Sequence, residues 1–221
     1  MKEWKGNKNS AHAAIAAHNG KGKSDRQKDD FYATDPEALQ KLLDYCSTWL
    51  YNKLDTIKPS VGRILDKIHV VMPIWECACG NGNLSEVLIK NGFIVWATDL
   101  KDRGYGQNRD IDFLNTIKTN NPVILTNPPY SLATEFIEHA LEVLPDGGLY
   151  IALMNITYLA GQKRYQRVYS KGSLREIYVF SKRIECWKNG ERPKDKCGSI
   201  ANYAWYVFQK GYNRQPTLYW L

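Results

Sequence analysis

The sequence predicts an α/β fold in which a mostly parallel central sheet carries helices on both faces. Short apolar runs such as Val70 to Cys77 and Pro122 to Thr126 alternate with stretches of helical periodicity, which is the pattern of βαβ units. Glycine or proline turns follow these runs, at the strand ends where open α/β sheets bind ligands. We therefore expect one domain over residues 31–221, preceded by a flexible, polar N-terminal arm over residues 1–30.

The composition is that of a globular protein. Of the 221 residues, 43% are apolar and 24% are charged, and we find no apolar run long enough for a transmembrane helix and no secretory signal. The five cysteines do not suggest a disulfide framework, and the Cys77-x-Cys79 spacing does not suit zinc. These features predict a protein of the reducing cytoplasm without a metal site.

Positive charge is concentrated in one part of the chain. The net charge is +7, yet residues 31–150 carry 10 Lys and Arg against 15 Asp and Glu, whereas residues 151–200 carry 11 against 4. A basic insert at about 156–199 indicates either a polyanionic partner or a solvated basic face. Charge alone does not decide between these two interpretations.

A glycine-rich turn predicts the first binding element. Cys79-Gly80-Asn81-Gly82-Asn83 separates the strand ending at Cys77 from a helix over Leu84 to Lys90, so a ligand can approach backbone amides. Phe93 to Ala97 is the next predicted strand, and Asp99 closes it about twenty residues past the glycines, where an acid holds ribose hydroxyls. The combination favours an adenosine-containing cofactor, and the missing third glycine argues against NAD.

The remaining predicted elements follow from the same periodicities. A helix begins near Pro36, after Thr34 or Asp35 as its cap. From Tyr130 onward we expect helix Leu132 to Leu144, strand Leu149 to Met154, helix Gln162 to Tyr169, strand Ile177 to Phe180, a long polar loop Lys182 to Ser199, strand Ala201 to Gln209 and an apolar tail Thr217 to Leu221 that packs back.

Asn127-Pro128-Pro129-Tyr130 follows the strand Pro122 to Thr126. Two prolines end the strand pairing and hold the residues before them extended. The Asn127 side-chain oxygen and the Pro128 carbonyl would accept the two N–H groups of an exocyclic base amine, and Tyr130 would stack on the base. The alternative interpretation is a strand-to-loop turn with an aromatic plug.

Taken in order, these motifs resemble those of the phage-type, Dam-like DNA N6-adenine methyltransferases. The resemblance runs nearly the whole length of the chain. It departs from the family at Cys77, where Pro is frequent, and at Asn81, where an acidic residue is frequent. It rests on Trp4-Lys5-Gly6-Asn7, Asp30-Phe31-Tyr32-Ala33-Thr34-Asp35-Pro36, Trp75-Glu76-Cys77-Ala78-Cys79-Gly80-Asn81-Gly82-Asn83-Leu84, Thr98-Asp99-Leu100-Lys101-Asp102-Arg103-Gly104-Tyr105-Gly106, Asp112-Phe113-Leu114, Asn127-Pro128-Pro129-Tyr130, Ala204-Trp205-Tyr206-Val207-Phe208 and Lys210-Gly211-Tyr212.

The resemblance implies a Rossmann-like class I methyltransferase fold and S-adenosyl-L-methionine as cofactor. By the same resemblance, Asn127 to Tyr130 form the catalytic motif, Asp99 takes the ribose hydroxyls, and Asp112 and Phe113 hold the cofactor's adenine. The methionine end would lie against Tyr32, Thr34, Glu76, Ala78, Gly80, Gly82 and Asn127.

The implied reaction is direct methyl transfer to the N6 amine of an adenine flipped out of double-stranded DNA. Such an enzyme would be phage- or prophage-encoded and would act in the cytoplasm of a bacterial host. The same motif also serves on RNA base amines and on a protein glutamine amide, and a non-catalytic module that binds cofactor and nucleic acid is a further alternative. The candidate phosphate contacts are the basic residues Lys163, Arg164, Arg167, Arg183, Lys188, Arg192 and Lys194.

Overall fold

The computed structural model describes residues 32–52, 73–106, 110–184, 186–188 and 202–221. The predicted arm over 1–30, the start of the strand predicted from Val70, and the candidate phosphate contacts Arg192 and Lys194 lie outside these ranges. Within them, no helix is long and apolar enough to cross a membrane.

Nine strands and four α-helices form most of the regular structure of the described ranges. The helices are α1 (Pro36–Asn52), α2 (Asn83–Lys90), α3 (Ala133–Val143) and α4 (Gln162–Arg167). The strands are β1 (Tyr32–Thr34), β2 (Ile74–Glu76), β3 (Val95–Ala97), β4 (Val123–Thr126), β5 (Leu149–Asn155), β6 (Leu174–Val179), β7 (Cys186–Lys188), β8 (Tyr203–Gln209) and β9 (Thr217–Trp220).

Seven strands form the central sheet in the order β3-β2-β4-β5-β8-β6-β9. Among the strands of the described ranges that belong to this sheet, β8 alone runs against the others, pairing antiparallel with β5 and β6. The predicted mostly parallel sheet is therefore confirmed. The other two strands, β1 and β7, pair with each other in a separate antiparallel ribbon.

The alternation of side chains along the strands divides the core into two layers. Val123 and Leu125 of β4 pack in a layer with α1 and α2, whereas Ile124, between them, packs in a layer with α3. Successive side chains of a strand point to opposite faces, so a strand that is apolar throughout is covered by helices on both sides. This arrangement confirms the predicted helices on both faces.

The parallel strands bring the candidate site residues to one edge of the sheet. β2 leads into the glycine turn, β3 leads towards Asp99, and β4 leads directly into Asn127. Since these three strands are neighbours in one direction, their carboxyl ends meet where open α/β sheets bind ligands.

One expectation for the C-terminal third needs correction, and another is confirmed. The long polar loop predicted over Lys182 to Ser199 contains the strand β7. No local pattern predicts this strand, because its partner β1 lies about 150 residues earlier in the chain. The apolar tail predicted over Thr217 to Leu221 does pack back, as the edge strand β9 paired with β6 and with Tyr219 and Leu221 against the core. Its Leu218 and Trp220 side chains are 47% and 64% exposed.

Candidate active site

The Asn127 carboxamide is held in one orientation at the end of β4. Its Nδ2 donates to the Tyr32 carbonyl oxygen at 3.2 Å and to Thr34 Oγ1 at 2.9 Å. A peptide carbonyl can only accept a hydrogen bond, so the nitrogen of the amide must face Tyr32. The Oδ1 atom is thereby turned the other way, where it is buried and meets no hydrogen-bond donor among the described residues.

The two prolines act as the sequence analysis predicts. Strand β4 makes its last pairing at Thr126, opposite Ala152 of β5. Pro129, with φ −58° and ψ 123°, then precedes a 3-10 turn over Tyr130–Leu132. The chain therefore leaves the sheet immediately after Asn127, and the carboxamide stands at the sheet edge.

Tyr130 is packed between two other tyrosine rings. Its ring stacks on Tyr32 with centroids 5.8 Å apart and lies tilted against Tyr203 at 6.0 Å. Burial, with the nearby Cys186 thiol and Tyr203 phenol, raises the pKa of Tyr130 well above its ordinary value. These contacts agree with the aromatic-plug interpretation, and stacking of Tyr130 on a base stays a prediction.

The glycine turn after β2 is closed by the predicted ribose-binding acid. Gly80 and Gly82 have φ of 57° and 87°, backbone conformations that residues other than glycine rarely adopt. The Gly80 amide donates to Asp99 Oδ2 at 2.8 Å, and the Lys101 amide donates to Oδ1 at 2.9 Å. A carboxylate has about four acceptor positions, so Asp99 keeps capacity for a diol.

A segment beyond β3 covers this turn. A Cβ on Gly82 would lie 2.5 Å from ring carbons of Tyr105. The Tyr105 hydroxyl donates to Glu86 Oε1 of α2 at 2.8 Å, which fixes the ring over the turn. Tyr105 therefore helps to shape the predicted cofactor site.

Glu76 is the most deeply buried acid of the site, with a side chain 1% exposed. The Ser85 hydroxyl donates to its Oε2. Burial raises the pKa of Glu76 to about 8, and the negative charge of Asp99 adds to the rise, whereas the hydrogen bonds from Ser85 oppose it. At neutral pH the carboxyl group is therefore largely protonated, and a cation beside it would favour the ionised form.

Asp112 and Phe113 already have structural partners. Asp112 accepts hydrogen bonds from the Leu114 amide and from the Asn115 side chain, so it caps a 3-10 turn. The Phe113 ring is 2% exposed and lies 5.3 Å from the Trp75 ring. Their predicted contacts with a cofactor adenine stay predictions.

The basic candidates differ in how far their charge is already balanced. Lys163 and Arg183 are exposed. The Arg164 side chain donates to the carbonyls of Tyr158 and Ala160, and Arg167 forms ion pairs with acidic side chains of α3. Lys188 belongs to strand β7, and its backbone lies opposite that of Tyr32 in the β1–β7 ribbon.

Three residues of the site were not assigned a role by the sequence analysis. These are Asn83, Ser85 and Tyr105, of which Asn83 donates from Nδ2 to the Thr34 carbonyl at 2.8 Å. All three lie in or just after quoted motifs, yet their partners are 49, 9 and 19 residues distant. Motif position therefore indicated their neighbourhood, whereas their contacts required the fold.

Comparison with known proteins identifies the fold. No protein-family model matches the chain, and no curated protein matches it. Among solved structures, a candidate class I S-adenosylmethionine-dependent methyltransferase from Listeria monocytogenes aligns with a TM-score of 0.54 and 13% identity over 96% of this chain and 72% of that one. The chain therefore has the Rossmann-like fold of the class I methyltransferases.

Two other solved structures align less closely. A candidate RNA methyltransferase from Pyrococcus horikoshii has a TM-score of 0.46 and 13% identity over 77% of this chain and 97% of that one. Magnesium protoporphyrin IX methyltransferase from Synechocystis PCC 6803, solved with bound S-adenosylmethionine, has a TM-score of 0.46 and 12% identity over 79% and 81%.

Proposed function

We propose that the protein transfers a methyl group from S-adenosyl-L-methionine to the N6 amine of adenine in DNA. The observation that carries this proposal is the buried Asn127 Oδ1, which meets no donor among the described residues. An acceptor left unsatisfied in a protein interior costs about 1–3 kcal/mol, so its retention supports a role towards a donor that comes from outside. An exocyclic amine is such a donor.

The residues around the glycine turn fit the cofactor. A cationic amino group suits the buried Glu76 carboxyl, and a ribose diol suits Asp99, which retains acceptor capacity beyond its two amide contacts. Gly80 and Gly82 add no side chains of their own to the turn. When bound, the cofactor supplies a methyl group that is already activated by the positive sulfur.

The chain itself would contribute positioning rather than acid–base chemistry. Asn127 Oδ1 would accept one N–H of the amine, and the Pro128 carbonyl would accept the other, which directs the nitrogen lone pair towards the methyl group. The rings of Tyr32, Tyr130 and Tyr203 pack against one another, and we expect them to exclude water from the amine. The amine needs no base before transfer, because its proton can leave afterwards.

DNA is the acceptor class that we favour because the site is followed in the chain by a basic segment. Lys163 and Arg183 are exposed and available to phosphate oxygens. A polyanion would bind them in a salt-dependent manner. The resemblance of the motifs to DNA N6-adenine methyltransferases supports the same choice.

The acceptor is tested by incubating the purified protein and methyl-labelled cofactor separately with duplex DNA, RNA and a protein extract. We expect label in DNA, recovered as N6-methyladenine after digestion to nucleosides. Label confined to RNA or protein would overturn the choice of acceptor. Absence of label in all three would overturn the methyltransferase itself.

A further inference from the structure

The Thr34 hydroxyl lies beside the catalytic amide and away from solvent. The Thr34 side chain is 3% exposed, and its Oγ1 accepts from Asn127 Nδ2 at 2.9 Å. The Tyr32 carbonyl accepts from the same nitrogen at the longer distance of 3.2 Å. The two acceptors, both from β1, therefore occupy the amide nitrogen of Asn127.

A carboxamide needs such restraint if its oxygen is to serve an amine. The torsion that rotates the amide is broad, and a half turn exchanges the oxygen for an NH2 group. In the exchanged orientation Asn127 would present donors to an amine that is itself a donor. The Tyr32 carbonyl opposes this exchange, because it can only accept a hydrogen bond and would then face the Oδ1 atom. The Thr34 hydroxyl supplies the second hydrogen bond, which holds the amide in the orientation that the carbonyl selects.

Strand β1 is itself fixed from two sides, so its acceptors are well placed. On one side the Asn83 side chain, at the start of α2, donates to the Thr34 carbonyl at 2.8 Å. On the other side Thr34 pairs with Cys186 of β7. The position of the Thr34 hydroxyl is therefore set by two elements that do not belong to the β4 turn.

We propose that Thr34 is a positioning residue that, together with the Tyr32 carbonyl, holds the Asn127 carboxamide with Oδ1 towards the acceptor amine. This proposal rests on the proposed methyl transfer and assigns Thr34 a role that differs from contact with the cofactor. Loss of a cofactor contact would weaken cofactor binding, whereas loss of an orienting contact would lower the rate of transfer.

The test compares Thr34→Val, which keeps the shape and removes the acceptor, with Thr34→Ser, which keeps the hydroxyl. We expect Thr34→Val to lower kcat about tenfold, the effect of losing one net hydrogen bond in the transition state. Cofactor Kd should stay within about twofold, since the contact is to Asn127. Thr34→Ser should retain most of kcat.

Thr119→Val is the matched control, because Thr119 is also buried but lies before β4, at the opposite sheet edge. Its hydroxyl accepts from the Asn121 amide, so the control also loses one hydrogen bond. We expect an unchanged kcat. If Thr34→Val raises cofactor Kd and leaves kcat unchanged, the positioning role is overturned in favour of a cofactor contact.

A second measurement is independent of activity. Nuclear magnetic resonance of nitrogen-labelled protein should show slow hydrogen exchange of the Asn127 side-chain amide in the wild type and in Thr34→Ser, and faster exchange in Thr34→Val. If Thr34→Val does not fold, Thr34→Ala takes its place in both measurements. Equal exchange in all variants would overturn the proposal, whereas a wild type that transfers no methyl group would overturn only the proposed function.

Discussion

At the scale of single residues, the site is built from two buried polar groups that the fold does not neutralise in the usual way. Asn127 keeps an acceptor oxygen that meets no donor in the part of the chain that the structure describes, and Glu76 keeps a carboxyl whose pKa burial raises to about 8. Both would be more stable with a partner supplied from outside the chain. Such groups cluster at functional sites, where a ligand completes them.

Glu76 should couple cofactor binding to proton release. Near pH 7 the free protein holds the proton, because its Glu76 pKa is about 8. A bound cation lowers this pKa, so affinity should rise with pH until about pH 8 and then level off. Calorimetric titration in buffers of different ionisation enthalpy measures the released protons.

The Glu76→Gln variant provides the comparison for this prediction. At a pH below the pKa of the cofactor's amine, that amine stays protonated with both proteins, so the difference between them reports Glu76. We expect the variant to release fewer protons and to show a flatter pH dependence of Kd. Identical proton release by the two proteins would show that Glu76 does not titrate on binding.

At the scale of elements, the glycine turn and the segment after β3 form one unit. Gly82 and Gly104 both have positive φ, of 87° and 80°. A Cβ on Gly82 would meet the Tyr105 ring at 2.5 Å, whereas one on Gly104 would meet no atom of the described residues within 4 Å. Comparing substitutions at the two glycines therefore distinguishes the cost of backbone strain from the cost of a steric clash.

Substituting each glycine by alanine, in two separate variants, should reveal that clash. Gly104→Ala should cost about 1 kcal/mol in free energy of unfolding from backbone strain alone. Gly82→Ala should cost about 1–3 kcal/mol more, since the Tyr105 ring must move, and should weaken cofactor binding. Chemical denaturation and calorimetry measure these effects.

The double variant Gly82→Ala/Tyr105→Ala is the internal check on this explanation. We expect the double variant to lose less free energy of unfolding than the sum of the losses in the two single variants, because removal of the ring relieves its clash with the new Cβ. If the effects are additive, the Tyr105 ring does not press on the turn.

The extent of sequence prediction also differs between elements. The β4 strand and its proline corner were predictable because the apolar run and the two prolines are local signals. The β1–β7 ribbon was not, since Tyr32 and Lys188 are brought together only by the fold. The orientation of Asn127 depends on that ribbon, so the sequence located the amide without showing which of its atoms has no partner among the described residues.

Asp112 and Phe113 illustrate a different limit. A sequence shows that an acid and an aromatic ring are adjacent, but not which way each side chain points. In the structure the acid caps a turn and the ring packs in the core layer of α3. These capping and core-packing roles describe their protein contacts, and contacts with a ligand require a separate test.

At the scale of the whole molecule, charge is divided between the site and the segment that follows it. Residues 31–150 are acidic and residues 151–200 are basic. This division suits a cationic cofactor on the one hand and a polyanionic acceptor on the other. Arg167 forms ion pairs with acidic side chains of α3, whereas Lys163 is exposed. The basic residues of this segment are therefore not equivalent.

DNA binding should therefore depend on salt through particular lysines. Replacing Lys163 by Ala should reduce the slope of log K against log salt by about one, as expected for a lost phosphate contact. Lys118→Ala is the matched control, because Lys118 is exposed but precedes β4 at the opposite sheet edge. Fluorescence anisotropy with labelled duplex at several salt concentrations measures both slopes, and equal slopes for the two variants would remove Lys163 from the interface.

The central claim is that Asn127 Oδ1 receives the acceptor amine, and the Asn127→Ala variant tests it most directly. Asn120→Ala, at an exposed position before β4, is the control. In one experiment, cofactor Kd and the single-turnover rate of methyl transfer to duplex DNA are measured for the wild type and both variants. We predict that Asn127→Ala binds the cofactor within about threefold of the wild type but transfers at least about 100-fold more slowly. Transfer by Asn127→Ala at the wild-type rate would contradict the account.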